Sequence, residues 1–296
     1  MAIIEAPAPE NKTPQRRGLK RSKQSRTPWF SILAMGTFAV CGIFGSFIAP
    51  HDPTTNDLGN SLVPPFWAEG GSTTYLLGTD QLGRDILSRL LSGAQVSFLV
   101  AVAAVLIAGA IGLGVALLAG YVGGRLDAFL TRVADSAMAF PVLLLAVIVV
   151  ALYGKSITIV IIVLVLAVWP QYARVLRSEV IRIRNEDYVV MSKVMGGSGR
   201  WAIVRHILPN VVPTLLVLAT LQIGFAIIAE GSLSFLGIGV PAPAASWGNM
   251  LADGRNFMQT AWWVPVFPGI ALSITVLSAN LLGDWLRQTL DPATRR

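Results

Sequence analysis

Six apolar runs without a single charged residue constrain the fold of this chain more than any other feature of its sequence. A helix needs about 20 apolar residues to cross the hydrocarbon core of a bilayer. Charged residues make up 13% of the 296 positions, whereas a soluble domain carries about 25%. We therefore predict an all-α integral membrane protein with six transmembrane helices. The runs cover residues 29–49, 97–121, 137–153, 157–169, 211–229 and 264–282.

The third and fourth runs are the shortest. We expect the third helix to begin earlier, within residues 126–138, and the fourth helix to continue through Pro170 towards Ala173. These extensions would give both helices the length of a full span.

Small residues spaced four apart indicate where helices meet. Ala108 and Gly112 form one such pair, and Gly120 and Gly124 form a second. Small side chains let two backbones approach closely in lipid. We interpret both pairs as contacts between helices of this chain rather than as a dimerisation signal.

The positive charges indicate the topology, because Lys and Arg accumulate in short loops on the cytoplasmic side of a membrane. Nineteen of the 23 Lys and Arg residues precede the first run, separate the second from the third or the fourth from the fifth, or follow the sixth. The remaining four are Arg84, Arg89, Lys155 and Arg255. This division predicts six spans with both termini in the cytoplasm. The basic residues flank spans and are not interleaved with aromatic residues, which favours contact with anionic lipid over nucleic acid.

The spans divide the chain into four parts. Residues 1–28 are rich in Pro, Lys, Arg, Ser and Gln and should form a disordered basic cytoplasmic tail. Residues 29–92 hold the first transmembrane helix and an external segment. Residues 93–290 form a core of five transmembrane helices that includes a cytoplasmic loop at residues 182–209, and residues 291–296 form a second cytoplasmic tail.

The sequence contains no pattern typical of a catalytic, nucleotide-binding or metal site. Residues 154–156 (GKS) match the end of a phosphate-binding loop, but Val149 replaces the glycine required five positions before it. The only histidines, His51 and His206, are expected on opposite sides of the membrane, which excludes a shared metal site or nucleophilic constellation. We predict a chain that is not an enzyme and holds no metal or other cofactor.

The cytoplasmic loop contains a short amphipathic helix that is followed by the flexible sequence GGSG at residues 196–199. Tyr188, Met191, Val194 and Met195 recur at spacings of three, four and seven, which places them on one face of a helix. Such a face can insert into the groove of a partner protein, or it can lie on the inner leaflet of the membrane. We favour the partner groove.

The same loop resembles the coupling loop of ATP-binding-cassette (ABC) importer permeases. That family has the pattern Glu-Ala-Ala, three residues, Gly, nine residues, Ile, one residue, Leu-Pro. Gly196, Leu208 and Pro209 fall at the matching positions. The chain departs from the pattern at Val190, Met191, Ser192 and His206.

A longer signature lies at residues 77–90, LGTDQLGRDILSRL, and is similar to the segment before the second span of dipeptide and oligopeptide ABC-importer permeases. With the other matches it extends the resemblance over nearly all of residues 29–292. On these residues the chain is identified as similar to the second-permease type of that family. The other matching segments are residues 205–210, 230–237, 246–248, 282–287 and 291–292.

The resemblance implies a type I ABC-importer permease fold that takes up di- or oligopeptides across the bacterial cytoplasmic membrane by alternating access. It implies as partners a homologous second permease, two ATPase subunits that bind ATP and Mg²⁺, an extracytoplasmic solute-binding protein, membrane lipid and peptide substrate. The same family includes permeases for nickel or glutathione, which remain an alternative. A self-sufficient secondary transporter or channel would carry intramembrane charges or repeated broken helices, and the sequence has no clear sign of either.

The resemblance also implies two groups of site residues. Glu230, Ser232 and Ser234 are candidates for the translocation path or an external gate, because an ionisable residue at the end of an apolar run is a functional candidate. Alternatively, Glu230 is a carboxylate in interfacial water at the external end of the fifth span. The residues expected to couple the chain to the ATPases are Asp187, Tyr188, Met191, Ser192, Val194, Met195, Gly196, Leu208 and Pro209.

Overall fold

The computed structural model describes residues 27–290, which form a bundle of ten α-helices. Within those residues the only β structure is an isolated bridge between Thr79 and Asp85. The predicted tails lie outside the described residues, apart from residues 27 and 28. The helices are α1 (Trp29–Ile48), α2 (Ile86–Val122), α3 (Gly124–Met138), α4 (Val142–Tyr153), α5 (Ile157–Arg184), α6 (Asp187–Val194), α7 (Gly199–Ala202), α8 (Leu208–Phe235), α9 (Trp247–Gly254) and α10 (Trp263–Leu290).

Five helices are long and apolar enough to cross a membrane. They are α1, α2, α5, α10, and α8 together with the turns that lead into it from Gly199. Helices α3 and α4 add a sixth span when they are taken together, although they are bent by 85° relative to each other. The prediction of an all-α membrane fold is confirmed, with one broken span in the place of the third helix.

The break lies at Pro141 and corrects the prediction of a continuous third helix. Pro141 adopts an extended conformation, with ψ at 128°. Proline has no N–H to donate to a preceding turn and disfavours helical geometry at the residue before it, which is Phe140. Helix α4 has 12 residues, so at 1.5 Å per residue it extends only about 18 Å and cannot cross the bilayer core alone.

Helix α5 continues through Pro170, as the sequence predicts, and ends at Arg184 rather than near Ala173. Its last three turns carry arginines, and these turns are held to α3 by an ion pair. The Arg177 Nη2 donates to the Asp127 Oδ2 over 2.6 Å, and Nε donates to the other carboxylate oxygen. A two-point guanidinium–carboxylate contact fixes orientation as well as distance.

Helices α2 and α5 form the centre of the bundle and pack through glycines. A Cβ atom placed on Gly112 would lie 2.3 Å from the Tyr172 Cβ, and one on Gly120 would lie 2.8 Å from the Val180 Cγ1. These predicted small residues therefore set the distance between the two backbones. Gly124 does not take part, because it begins α3 and nothing lies within 4 Å of its would-be Cβ.

Residues 50–85 form a cap segment over one end of the bundle. The Asp80 carboxylate accepts hydrogen bonds from the Leu82 and Arg84 N–H groups, and its Oδ2 lies 2.7 Å from the Arg84 Nε. The buried Arg89 guanidinium lies 3.4 Å from the same oxygen. Both arginines also approach the Asp253 carboxylate of α9. Partial burial raises the pKa of Asp253, and the two guanidiniums oppose that effect. The predicted signature at residues 77–90 is thus a charge-paired junction between the cap and the bundle.

Candidate functional site

Helix α6 is bounded by residues that suit its two ends. Asp187 lies in the first turn and Lys193 in the last, and both charges interact favourably with the helix dipole. The helix ends at Val194, and two residues later Gly196 has a φ of +90°, in the left-handed region that favours glycine. The Gly197 N–H then donates to the Ser192 carbonyl over 2.9 Å, which closes the helix in the manner of a glycine C-cap.

The predicted apolar face of this helix is exposed. The exposed fraction is 47% for Tyr188, 58% for Met191, 76% for Val194 and 79% for Met195. We refer to these four residues as the apolar face. An exposed cluster of large apolar side chains at helical spacing is typical of a surface that binds a partner.

The opposite side of α6 packs against the bundle. Val189 is fully buried and Ser192 is 7% exposed. The Ser192 hydroxyl donates to the Val189 carbonyl over 2.8 Å. Ser192, which the resemblance placed among the coupling residues, therefore does not lie on the apolar face. A small side chain fits this buried position, whereas its neighbour Met191 points outward.

Helix α6 is attached to the end of α2 through Tyr121. The Lys193 Nζ lies 4.6 Å from the centroid of the Tyr121 ring, and the Arg184 guanidinium lies 5.7 Å from it. Arg184 also donates to the Gly120 carbonyl over 3.2 Å. Gly199 packs closely on the same ring, since a Cβ there would lie 3.0 Å from the Tyr121 hydroxyl. These contacts surround one aromatic ring with two cations and the start of α7.

An aromatic cluster attaches α6 to the segment that leads into α8. The His206 ring lies 5.6 Å from the ring of Tyr188 and 4.7 Å from that of Trp201, with edge-to-face geometry in both pairs. The Asn210 amide donates to the Tyr188 hydroxyl over 3.3 Å and to the His206 carbonyl over 2.6 Å. A displacement of α6 would therefore displace the start of α8.

Leu208 and Pro209 lie at the start of α8 and not on the apolar face. The preceding turn, Ile203–Ile207, is π-helical, and the Leu208 N–H donates to the Ile203 carbonyl. A proline ring collides with the carbonyl four residues earlier in a regular helix, and the wider π turn relieves that collision. Residues 199–235 consequently run as one span of 37 residues.

Glu230 lies inside the bundle. It is 1% exposed, and its carboxylate accepts hydrogen bonds from the Ser97 hydroxyl of α2 over 3.0 Å and from the Ser234 hydroxyl over 2.7 Å. The alternative of a carboxylate in interfacial water is therefore wrong. Ser232 is separate from this group, because its hydroxyl donates to the Ile228 carbonyl of its own helix. The Glu230 cluster joins α2, α8 and the loop after α8, since the Ser234 hydroxyl also accepts from the Val240 N–H.

Two glutamines that the sequence analysis did not single out form a hydrogen bond between α5 and α8. The Gln222 Nε2 donates to the Gln171 Oε1 over 2.6 Å. A cavity of about 690 Å³ lies below them between α5, α8 and α10. The sequence does contain a signal for this site, because Gln222 is a polar residue within the apolar run at residues 211–229. A search for ionisable residues alone does not find it.

The GKS sequence at residues 154–156 forms the turn between α4 and α5. Gly154 has φ at +80° and ends α4, and the Ser156 hydroxyl accepts from the Ile159 N–H to cap α5. These residues thus have a local structural role.

Among residues 27–290, no three His, Cys, Asp or Glu side chains are close enough together to hold a metal ion.

Residues 112–296 match the family described as "Binding-protein-dependent transport system inner membrane component". The chain belongs to this family. This inner membrane component therefore resides in the bacterial inner membrane, as the sequence predicted, and the resemblance to ABC-importer permeases is confirmed.

Three bacterial relatives are similar to this inner membrane component over most of its length. The "Di/tripeptide transport system permease protein DppC" of Pseudomonas aeruginosa (strain UCBPP-PA14) is 40% identical over 261 residues, which is 88% of this chain and 86% of the relative. The "Dipeptide transport system permease protein DppC" of Haemophilus influenzae is 38% identical over 274 residues, 93% of both chains. The protein of that name in Escherichia coli (strain K12) is 40% identical over 294 residues, 99% of this chain and 97% of the relative.

The fold of this inner membrane component is also similar to a solved structure. A chain of the MetNI methionine ABC transporter, in an inward-facing conformation, superposes with a TM-score of 0.57 and 16% sequence identity. The match covers 69% of this chain and 96% of that chain. The likeness concerns the fold, and it confirms the predicted architecture of an ABC-importer permease.

Proposed function

We propose that this chain is the membrane-spanning permease subunit of an ATP-driven importer of di- and oligopeptides. The observation that carries the proposal is 40% identity to a dipeptide permease protein along 99% of the chain. The other two relatives are also named for dipeptide or tripeptide transport. A nickel or glutathione permease is consequently not favoured, and membership of a binding-protein-dependent family disfavours a self-sufficient secondary transporter or channel.

The partners follow from this assignment. Two ATPase subunits supply the energy and bind ATP and Mg²⁺, a second, homologous permease completes the path, and a solute-binding protein delivers the peptide. This chain needs no covalent chemistry of its own, because its task is to change shape around a substrate.

The apolar face of α6 is the surface on which an ATPase subunit docks. Two observations support this docking surface. The side chains of Val194 and Met195 are each more than three-quarters exposed, and Gly196 matches the coupling loop of permeases. The contacts of Tyr121 and His206 then carry movement of α6 to α2 and α8. Such a rigid connection lets domain movement in the ATPases tilt the spans between two states.

Glu230 and Ser234 hold α2 and α8 together at the end of the bundle that carries the cap segment. We assign this cluster to the gate at that end, on the support of its burial and its hydroxyl partners on two helices. Ser232 lies outside the cluster and contributes less to such a gate.

Growth on peptides tests the proposed function. A strain that lacks the gene and requires one amino acid should not grow when that amino acid is supplied only as a dipeptide. The gene on a plasmid should restore growth and ATP-dependent uptake of labelled dipeptide. Unchanged dipeptide uptake in the deletion strain, with loss of nickel or glutathione uptake, would assign the chain to a different substrate.

A further inference from the structure

The amide pair formed by Gln171 and Gln222 lies midway between the ends of α5 and of α8. Each glutamine is the fifteenth residue of a helix of 28 residues, so each lies about 20 Å from either helix end at 1.5 Å per residue. Polar side chains within membrane-spanning helices face the bundle interior or a water-filled cavity. Gln222 is 7% exposed and therefore buried, whereas the side chain of Gln171 is exposed.

The pair leaves hydrogen-bonding capacity unused. A carboxamide has two N–H donors and an oxygen that can accept twice, and the pair uses one donor of Gln222 and one acceptor position of Gln171. Within residues 27–290, these two side chains form no other hydrogen bond. A donor on Gln171 and an acceptor on Gln222 are thus available side by side.

Helix α5 connects the pair to the cavity of about 690 Å³. Val175, Glu179 and Arg182 line that cavity and follow Gln171 by four, eight and eleven residues. These spacings place all four side chains on one face of the helix. Gln171 therefore lies one turn beyond Val175, on the same face of α5 as the residues that line the cavity.

Gln222 likewise lies on the same face of α8 as residues that line the cavity. Thr214 and Leu218 line the cavity and precede Gln222 by eight and four residues, which is again one helix face. Arg287 of α10 lies at the same end of the bundle as Arg182 and completes the charged rim. The cavity thus has a rim with charges of both signs and walls that are largely apolar, and the amide pair lies one helical turn beyond Val175 and Leu218 of its lining.

These features fit a short peptide, which has a charged group at each end and an amide between them. A volume of about 300–1,000 Å³ is typical of a small-ligand site. We infer that the Gln171–Gln222 pair is a binding site for the main chain of the transported peptide, whose peptide bond replaces the hydrogen bond between the two glutamines. Binding through the main chain does not depend on which side chains the peptide carries. This inference rests on the proposed function and adds a substrate contact to it.

Uptake by the complete transporter in proteoliposomes tests the site. Gln171→Leu and Gln222→Leu should each lower ATP-driven dipeptide uptake about tenfold, since each removes one or two hydrogen bonds to the substrate. ATP hydrolysis stimulated by the loaded binding protein should persist. Gln95→Leu makes the same change on α2, away from the cavity, and should leave uptake unchanged. Normal uptake by both leucine variants would overturn the inference.

A labelling experiment tests the site without relying on the leucine variants to fold. Val175→Cys is introduced with Cys41→Ala, because Cys41 is the only native cysteine and Val175 lines the cavity one turn from Gln171. A saturating dipeptide should slow the reaction of the introduced thiol with maleimide in the assembled transporter several-fold, whereas the free amino acids should not. Equal labelling rates with and without dipeptide would overturn the inference. A failure of the proposed function would be distinguishable from a failure of this inference, because in that case the unmodified transporter would take up no dipeptide.

Discussion

Gly112 and Gly114 lie two residues apart on α2 and have different surroundings. A Cβ on Gly112 would lie 2.3 Å from the Tyr172 Cβ and 2.9 Å from the Ala173 nitrogen of α5, whereas nothing lies within 4 Å of the corresponding atom on Gly114. The contact at Gly112 involves backbone and the base of a side chain, which cannot rotate away. The close approach of α2 and α5 thus depends on the absence of one methyl group.

The substitution Gly112→Ala should destabilise the protein by about 1–3 kcal/mol, because it forces a methyl group into a packed interior. Gly114→Ala is the matched control and should raise stability by up to about 1 kcal/mol, since alanine is the better helix former. The midpoint temperature of thermal unfolding of the detergent-solubilised protein measures both effects. Equal midpoints for the two variants would contradict the packing of α2 on α5.

Helix α6 has eight residues, and its role depends on which of its sides is free. Val189 and Ser192 pack inward, while Met191, Val194 and Met195 of the apolar face are exposed and Tyr188 contacts His206 at its edge. Such a short helix is not stable by itself in water. The contacts with Tyr121 and His206 therefore determine its position as well as transmit its movement.

The substitution Met195→Asp should lower ATP-driven peptide uptake at least tenfold while the chain still inserts in the membrane. Burial of a methionine at an interface is worth about 1.5–3 kcal/mol, and a charge there opposes docking. Met258→Asp is the control, because Met258 is 55% exposed and belongs to the segment after α9. Dipeptide uptake and ATP hydrolysis in proteoliposomes measure the effect. Uptake that falls equally in both variants would argue against an ATPase contact at α6.

The elements that could be predicted from the sequence depend on local patterns. An apolar run specifies a span, and a spacing of three and four specifies the exposed side of α6, because both signals lie within one helix. The end of α6 just before Gly196 could also be predicted, since a glycine at that position permits the left-handed turn.

The contacts that could not be predicted join residues far apart in the chain. Ser97 and Glu230 are 133 positions apart, and Gln171 and Gln222 are 51 apart, so no helical period relates them. The bend at Pro141 was missed for another reason. Proline occurs within α5, α8 and α10 without ending them, and only tertiary packing decides where a helix in a membrane continues past a proline.

The two ends of the whole molecule differ in the way they are closed. At one end the cap segment is paired to the bundle through Asp80 and Arg89, and the Glu230 cluster lies buried below it. At the other end a cavity opens beside Arg182 and Arg287, close to the loop that carries α6. This asymmetry is what one state of an alternating-access transporter requires, with a closed end opposite an open one.

The proposed function requires the open end to face the cytoplasm, where the ATPases and ATP are found. The charge distribution of the sequence predicts the same orientation. Single cysteines in a Cys41→Ala chain test it, with Thr73→Cys in the cap segment and Ser198→Cys beside α6, both of which replace exposed residues. An impermeant maleimide added to intact spheroplasts should label the thiol in the cap segment at once, and the thiol beside α6 only after the membrane is permeabilised. The reverse pattern would place α6 outside the cell, where no ATPase could dock on it, and the coupling role proposed for its apolar face would fail.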